Sequence, residues 1–297
     1  MIDFQDQAAV VTGAGAGIGR AYALELSRRG AAVVVNDIGR TQDGRACADA
    51  VVGEIRAAGG QAVASHESVD TLAGGRQMVQ TALDRFGRLD ILVNNAGILR
   101  DRTFMKMTED EWDDVIRVHL KGAFCVTQPA LQQMKQQQYG RVVFTASTSG
   151  MYGNFGQANY GAAKMGVIGL MNTLKLEVSR YGILVNTVAP NADTGMTAGV
   201  FPDDVARRIK PGFNVPLVVY LCSRHNRVSG KVFTMSAGWF ARSAMVSGKG
   251  VCIGNTQRDI AAEEIQDRID EICTIDQVRE FEACGEIYSL GQPLTGR

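Results

Sequence analysis

Three side chains of this sequence have the types and spacing needed to take a proton from an alcohol. Tyr160 and Lys164 are four residues apart, which places them on one face of a helix, and Ser147 precedes Tyr160 by 13 residues. A phenol is a poor base at neutral pH, but a neighbouring ammonium stabilises the phenolate and lowers its pKa. The pattern predicts that Tyr160 is a general base acting on a hydroxyl that Ser147 holds.

A glycine-rich segment near the amino terminus predicts a phosphate-binding loop. Residues 12–19 follow an apolar run and open a helical stretch, and an acidic residue, Asp37, follows about 20 residues later. Glycines let the backbone approach a pyrophosphate, and the start of a helix directs N–H groups at it. A dinucleotide bound there would accept hydride from the carbon that loses the proton. The predicted loop contacts are Gly13, Ala16, Gly17, Ile18 and Gly19.

The residues around the predicted adenosine ribose favour NAD over NADP. The Asp37 carboxylate can accept both ribose hydroxyls and would repel a 2′-phosphate. Ala16 offers no cation to such a phosphate, although Arg40 is close in sequence. Another apolar run ends at Asn94, and strand ends on this edge of a parallel sheet face the ligand crevice. The residues expected to support the cofactor or the sheet edge there are Asn95, Ala96 and Gly97.

Short Val-rich runs alternate with stretches of helical period along most of the chain. Such runs suit strands that are buried on both faces of a parallel sheet. The alternation predicts an α/β, doubly wound, Rossmann-like fold with about seven strands. The predicted strands cover residues 8–12, 32–36, 61–64, 91–94, 141–147, 184–189 and 232–235, and the main predicted helices cover 19–29, 45–58, 76–86 and 160–180.

Composition sets the class of protein and its domains. The 297 residues include 31 basic and 31 acidic side chains, a balance that gives no footprint for nucleic acid. No apolar run approaches the ~20 residues of a membrane span. Residues 239–297 carry six basic and ten acidic residues and one predicted amphipathic helix, 260–273. We therefore predict a Rossmann domain, residues 1–238, with a carboxy-terminal extension, 239–297, packed on it; a partly disordered tail is the alternative.

The six cysteines are scattered, without a CxxC motif or a cysteine-histidine cluster. This spacing excludes an obvious metal site, so no metal is predicted. We expect reduced and mostly buried thiols, as in the cytoplasm, and no signal peptide is visible.

Together these motifs resemble the short-chain dehydrogenase/reductase family, from about residue 4 to residue 239. The resemblance is greater to one branch, the (3R)-hydroxyacyl-CoA dehydrogenase units of peroxisomal multifunctional β-oxidation enzymes type 2, also described as 17β-hydroxysteroid dehydrogenase type 4-like. The glycine loop, residues 94–97 and Ser147/Tyr160/Lys164 carry the family resemblance. The branch resemblance rests on residues 14–17, 20–24, 35–37, 97–102 and, most specifically, 153–160.

The resemblance implies a role for each matching position. Tyr160 would be the acid/base, Lys164 the ribose ligand and phenolate stabiliser, and Ser147 the donor to the substrate oxygen. Ser68 and Val69 would line the adenine slot, and Val188 and Pro190 would border the nicotinamide. Two positions depart from the family pattern: His119 stands where most members have an asparagine that anchors a relay water, and Asn191 replaces the usual glycine.

The branch resemblance implies oxidation of a (3R)-3-hydroxyacyl-CoA with NAD, and a steroid or steroid-CoA alcohol is the alternative substrate. A catalytically silent NAD-binding protein is a third reading, which the intact Tyr160 and Lys164 disfavour. Residues 191–211, with apolar Met196, Val200 and Phe201, would form a substrate lid. A basic set could meet CoA phosphates or be a solvated helix face: Arg207, Arg208, Lys210, Arg224, Arg227 and Lys231.

The family also implies a homodimer or homotetramer, formed by the helix that carries Tyr160 and the helix before it. The extension weakly favours the dimer. A hydratase unit does not fit in 297 residues, so a separate hydratase is expected in the same pathway. A chain of this kind without a targeting signal is expected in the cytoplasm.

Overall fold

The protein is described by a computed structural model that covers residues 1–195, 204, 208–254 and 258–286. Eight strands form one sheet in the order β3-β2-β1-β4-β5-β6-β7-β8. The first seven strands pair in parallel. The strands are β1 (Ala8–Thr12), β2 (Ala32–Asn36), β3 (Ala62–Ser65), β4 (Ile91–Asn94), β5 (Gly140–Thr145), β6 (Ile183–Asn191), β7 (Val232–Ser236) and β8 (Trp239–Ser243).

Helices cover both faces of this sheet, as the strand-helix alternation predicts. Side chains alternate across each strand, so Val10 packs in one apolar core and Val11 in the other. The two cores explain why the strands are almost wholly apolar. The helices are α1 (Gly17–Arg28), α2 (Cys47–Ala57), α3 (Leu72–Phe86), α4 (Glu109–Ile116), α5 (Gly122–Gln137), α6 (Thr148–Tyr152), α7 (Ala158–Val178), α8 (Val215–Cys222), α9 (Ala262–Gln266) and α10 (Ile269–Ile272).

The sheet contains one strand more than the seven predicted. Ala237 and Gly238 connect β7 to β8, and both have positive φ angles, 49° and 84°. Two such residues form the tight connection of a hairpin, so the chain continues at the sheet edge after residue 238. The compact unit that contains the sheet extends to Arg242, and a second unit begins at Ser243.

The second unit contains α9 and α10 where the sequence predicts one helix over residues 260–273. The prediction of a continuous helix is wrong, because Arg268 leaves the helical region at φ −115° and ψ 8°. Ile265, Ile269 and Ile272 are 41%, 46% and 38% exposed. Without a well-buried apolar face a long helix has little to stabilise it. The packing of this extension on the Rossmann domain stays a prediction.

The cysteines also differ from the expectation of mostly buried thiols. All six are unpaired, and Cys125 and Cys222 are buried, but Cys252, Cys273 and Cys284 are exposed. Half of the thiols therefore are not core residues. The part of the chain that the structure describes contains no cluster of three potential metal ligands and no helix suited to span a membrane.

The strand order determines where a ligand can lie. The chain crosses over between β3 and β4, so that β1 and β4 are neighbours although they are not consecutive. At such a switch point, the loops after the two strands diverge and leave a crevice at their carboxyl ends. The glycine loop follows β1, and residues 95–97 follow β4.

Candidate active site

The glycine loop forms a backbone-lined turn between β1 and α1. Gly13 and Gly17 have φ angles of 61° and 54°, a region that favours glycine. A Cβ on Gly13 would come within 2.7 Å of the Ala96 Cα, and one on Gly19 within 2.2 Å of the Gly13 oxygen. No side chain caps the start of α1 at Ala16, so its N–H groups can bind an anion. The cradle that side chains would fill fits a dinucleotide pyrophosphate.

Asp37 lies beside this loop and is fixed by backbone donors. Its Oδ2 accepts from the Gly15 amide at 2.8 Å and its Oδ1 from the Gly39 amide at 2.7 Å. Arg40, the residue that could oppose NAD selectivity, donates from Nη1 to the Gly44 oxygen at 2.9 Å. The carboxylate is therefore held at the lining of the cleft, while Arg40 is engaged in its own loop.

The residues after β4 brace the glycine loop. Asn95 Nδ2 donates to the oxygens of Thr12 and Gly13 at 3.2 and 3.1 Å. The amides of Asn95 and Ala96 both donate to the Thr12 hydroxyl, at 3.0 and 3.1 Å. Gly97 lies against His119, whose Cε1 would be 2.3 Å from a Cβ at that position.

The structure brings Ser147, Tyr160 and Lys164 together at the ends of β5 and α7. Ser147 caps α6, and its Oγ accepts from the Ser149 amide at 3.1 Å. Because this contact uses the oxygen as an acceptor, the O–H of Ser147 can still donate to another group. Lys164 is 4% exposed, and its Nζ donates to the Thr145 oxygen at 2.5 Å. The same Nζ lies 5.5 Å from the centroid of the Tyr160 ring.

Burial dominates the electrostatics of this group. Burial raises the pKa of Tyr160, a hydrogen bond with Ser147 lowers it, and the negative charge of Asp101 raises it. Burial also lowers the pKa of Lys164 to about 7. Burial disfavours the charged form of each group, the phenolate of Tyr160 and the ammonium of Lys164. A proton that moves from the phenol to the amine produces both charges at once, and these opposite charges stabilise each other.

His119 lies beside Tyr160 and is buried. It occurs in a π-helical segment, Arg117–Lys121, between α4 and α5. Its ring meets the Tyr160 ring edge-on at 5.1 Å, and its Nε2 is 2.7 Å from the Ile98 oxygen and 3.0 Å from the Ile98 amide. Burial and the charge of Lys164 lower the pKa of His119 to about 3, although the hydrogen bond with the Ile98 backbone acts to raise it. The imidazole is therefore neutral near pH 7.

Two buried polar atoms near this histidine lack partners. His119 Nδ1 and Thr145 Oγ1 make no hydrogen bond. Both residues, with Lys164, line a cavity of about 10 Å³. That is roughly the space one water needs, and a water there would satisfy polar atoms that are otherwise costly to bury.

A larger cleft, of about 890 Å³, opens above these residues. It has room for a nicotinamide dinucleotide and part of a substrate. The predicted site residues that line it are Gly13, Ala16, Gly17, Ile18, Asp37, Asn95, Gly97, His119, Ser147, Tyr160, Lys164 and Pro190.

Five predicted contacts lie outside this lining. Gly19 is buried behind the loop, and Ala96 and Val69 border the small cavity. Ser68 donates from Oγ to Asp70 Oδ1 at 2.6 Å, and Val188 is fully buried in the core. Asn191, in contrast, lines the cleft at the end of β6, and its side chain donates to the Ser236 hydroxyl at 3.3 Å.

The proposed lid residues Met196, Val200 and Phe201, with Arg207, lie outside the described residues. The rest of the basic set does not form one cluster. Arg224 and Arg227 lie between α8 and β7, at the amino-terminal end of that strand, whereas the cleft lies at the carboxyl ends. For Arg224 and Arg227 this placement favours the solvated alternative over contact with CoA phosphates.

Several cleft residues were missed by the sequence analysis. Asn159 is fully buried next to Tyr160 and joins three segments, and Asp101 and Gln157 line the cleft as a hydrogen-bonded pair. Their pairing joins residues that are about fifty positions apart, so local patterns do not show it. Residues 97–102 and 153–160 had been noted only as motifs.

A doubly wound sheet, a glycine loop at its switch point and a Ser-Tyr-Lys set together define a dinucleotide-dependent oxidoreductase. Residues 7–204 match the family model described as short chain dehydrogenase. The chain belongs to this family, which confirms the resemblance and the fold predicted from the sequence. Its cofactor is accordingly a nicotinamide dinucleotide.

The relatives are similar across most of this chain. It is 46% identical over 274 residues to peroxisomal multifunctional enzyme type 2 of Mus musculus, which is 91% of this chain and 37% of that protein. It is 41% identical over 246 residues to a hydroxyacyl-CoA dehydrogenase of Mycobacterium tuberculosis, which is 78% of this chain and 77% of the relative.

A solved structure supports the same assignment. Full-length peroxisomal multifunctional enzyme type 2 from Drosophila melanogaster aligns with a TM-score of 0.86 and 40% identity, over 99% of this chain and 50% of that one. The chain spans 37% to 62% of the length of three multifunctional relatives. It therefore corresponds to one part of those longer proteins.

Proposed function

We propose that the protein oxidises (3R)-3-hydroxyacyl-CoA to 3-ketoacyl-CoA with NAD. The observation that carries the proposal is the similarity to a relative that is named a hydroxyacyl-CoA dehydrogenase and is covered over 77% of its length. The multifunctional relatives, similar over more than 90% of this chain, support it further. The Ser147, Tyr160 and Lys164 geometry is the set that such an oxidation requires.

The preference for NAD rests on Asp37. Its carboxylate is oriented by two backbone amides and would repel a 2′-phosphate, and Ala16 supplies no compensating charge. The pyrophosphate would lie against the uncapped start of α1. When bound, the nicotinamide ring accepts the hydride that leaves the carbinol carbon.

The residues of the chain perform the proton transfer. The Ser147 hydroxyl donates to the substrate oxygen and keeps the carbinol next to Tyr160. The Tyr160 phenolate takes the hydroxyl proton, and the nearby ammonium of Lys164 stabilises that phenolate. Burial excludes water from the charged pair, so the same charges interact more strongly than in solvent.

We also propose that His119 contributes to the release of this proton. Its unpartnered Nδ1 shares a small cavity with Thr145 and Lys164, where one water would connect the imidazole with the ammonium. A neutral imidazole can accept a hydrogen bond from that water, whereas a protonated one could not. His119 would thus anchor the water for which most family members use asparagine.

A matched panel of alcohols tests the substrate. NADH formation is measured with (3R)- and (3S)-3-hydroxyacyl-CoA of short and long chains, a 17β-hydroxysteroid and a steroid side-chain CoA thioester. We expect a high kcat/KM on (3R) acyl thioesters with NAD, and far lower values on (3S) isomers or with NADP. Turnover of only the steroids would overturn the acyl-CoA substrate while leaving the Tyr160 chemistry in place.

We propose a homo-oligomer assembled through α5 and α7. These helices border an open apolar groove that includes Phe124 and Leu176, which are 42% and 54% exposed. Large exposed apolar surfaces mark association sites.

Six free thiols are in keeping with a reducing compartment such as the cytoplasm, and a separate hydratase would supply the substrate.

A further inference from the structure

A carboxylate occupies the wall of the cleft near the catalytic tyrosine. Asp101 lies on the segment after β4 and lines the cleft together with Ser147 and Tyr160. Its Oδ2 accepts from Gln157 Nε2 at 2.8 Å, and Gln157 Oε1 accepts from Asn154 Nδ2 at 2.9 Å. The charge is therefore held in position by a side-chain pair that belongs to the cleft itself.

The backbone around Asp101 is tied to the start of α7. The buried Asn159 donates from Nδ2 to the oxygens of Arg100 and Glu111 at 3.0 and 2.9 Å. Its Oδ1 accepts from the Tyr160 amide at 2.7 Å. The Arg102 amide donates to the Gly156 oxygen at 2.8 Å. Asp101 and Tyr160 consequently share an anchor, which fixes the anion relative to the reacting hydroxyl.

The charge balance of the cleft disfavours a second anion at the reaction centre. Among the described residues that line it, Lys164 is the one lysine or arginine, and its Nζ already donates to the Thr145 oxygen. The negative charge of Asp101 acts on Tyr160, whose pKa it raises after the effects of burial and Ser147. A substrate group bound next to Tyr160 would also experience the negative charge of Asp101.

We propose that Asp101 is a specificity-determining residue that rejects free 3-hydroxycarboxylates and admits their thioesters, whose carbonyl group is uncharged. This inference rests on the proposed function, whose substrate has its carbonyl carbon two positions from the carbinol. In a free acid the carboxylate oxygens on that carbon share a full negative charge, whereas the carbonyl group of a thioester carries none. Like charges in one cleft repel each other, which disfavours the carboxylate relative to the thioester even though Asp101 is exposed.

The test compares a neutral and an anionic substrate of the same acyl chain. The kcat/KM for the N-acetylcysteamine thioester of (3R)-3-hydroxybutyrate and for (3R)-3-hydroxybutyrate itself is measured for the wild type, Asp101→Asn and Asp101→Glu. The amide of D101N can still accept from Gln157, and D101E keeps the charge. We expect D101N to raise the ratio of acid to thioester kcat/KM about tenfold and D101E to leave it near the wild-type value. Salt at 1 M should raise the wild-type ratio, because screening weakens an exposed carboxylate.

The outcomes separate the two proposals. A wild type that turns over no 3-hydroxyacyl thioester would overturn the proposed function and this inference with it. A wild type active on the thioester, with an unchanged ratio in D101N, would overturn the role of Asp101 alone. Equal changes of both substrates in D101N would assign Asp101 to positioning or to the pKa of Tyr160, and would also refute the charge filter.

Discussion

Tyr160 is unsuited to be a base in isolation, since burial raises the pKa of its phenol. Ser147 opposes that effect and Asp101 adds to it, and Lys164 favours the phenolate whenever its amine is protonated. Ser147 donates a hydrogen bond that favours the phenolate, and Lys164 places its amine 5.5 Å from the ring. The balance among these residues would set the pH dependence of the proposed oxidation.

Replacing Ser147 with alanine should move the pH dependence upward. The lost hydrogen bond stabilises only the ionised phenol, so its removal raises the pKa of Tyr160. We expect the rising limb of log kcat/KM for oxidation to shift by about one pH unit to higher pH. Profiles between pH 5.5 and 10 measure it, with Ser179→Ala, in an exposed turn, as the control. If the rising limb does not shift, Ser147 does not lower the pKa of Tyr160.

His119 should make the folded state sensitive to mild acid. Its pKa is about 3 in the folded protein and 6.5 ordinarily, so below pH 6.5 the unfolded chain binds a proton that the folded chain does not. Stability is therefore complete above pH 6.5 and lost as pH falls toward 3. Between pH 7.5 and pH 5 the free energy of unfolding should fall by about 2 kcal/mol from this cause. Urea unfolding of His119→Asn should lack that loss; an equal loss in both proteins would contradict it.

At the scale of elements, the turn between β1 and α1 depends on close backbone approach. A Cβ at Gly19 would lie 2.2 Å from the Gly13 oxygen, so the loop must shift in Gly19→Ala. We expect a loss of roughly 1–3 kcal/mol of stability and at least about tenfold weaker NAD binding. Gly53→Ala is the control, because its Cβ would meet only the end of the Arg45 side chain. Unfolding curves measure the stability and titrations measure the affinity for NAD. Wild-type affinity for NAD in G19A would contradict binding of the dinucleotide at the glycine loop.

Strand positions were predictable because burial on both faces makes them Val-rich, as β1 and β2 show. The helix face of Tyr160 and Lys164 was predictable for a similar local reason. Strand β8 was missed because its hairpin uses Ala237-Gly238 rather than Asn-Gly, and because Trp239 and Phe240 are exposed. The π-helical segment around His119 has no local signal in the residue pattern.

The cleft residues that were missed depend on contacts between distant segments. Asn159 makes hydrogen bonds with the backbone of Arg100, Glu111 and Tyr160. Gln157 donates a hydrogen bond to the Asp101 carboxylate. Such pairs form only once the sheet has brought the loops after β4 and β5 to one edge. Sequence motifs marked both loops, but the chemistry of their pairing required the fold.

On the scale of the whole molecule, the chain corresponds to one part of longer multifunctional relatives. The residues assigned to the proposed oxidation, Ser147, Tyr160 and Lys164, all lie within the unit Met1–Arg242. The proposed association with other copies would use the exposed apolar groove on α5 and α7.

Association through this groove should respond to a charge placed in it. We expect sedimentation equilibrium to give a dimer or tetramer for the wild type and a smaller species for Leu176→Glu, since burying an unpaired carboxylate is costly. Ile275→Glu, at a residue that is 69% exposed outside these helices, is the matched control. A monomeric wild type, or an unchanged assembly in L176E, would contradict the assigned interface.

The most direct test of the central claim is the Tyr160→Phe variant, assayed with NAD and a (3R)-3-hydroxyacyl thioester. Phenylalanine keeps the ring beside His119 but removes the hydroxyl that takes the proton. We predict that kcat falls by about three orders of magnitude while the Kd of NAD is unchanged. Wild-type kcat in this variant would contradict the assignment of Tyr160 as the base.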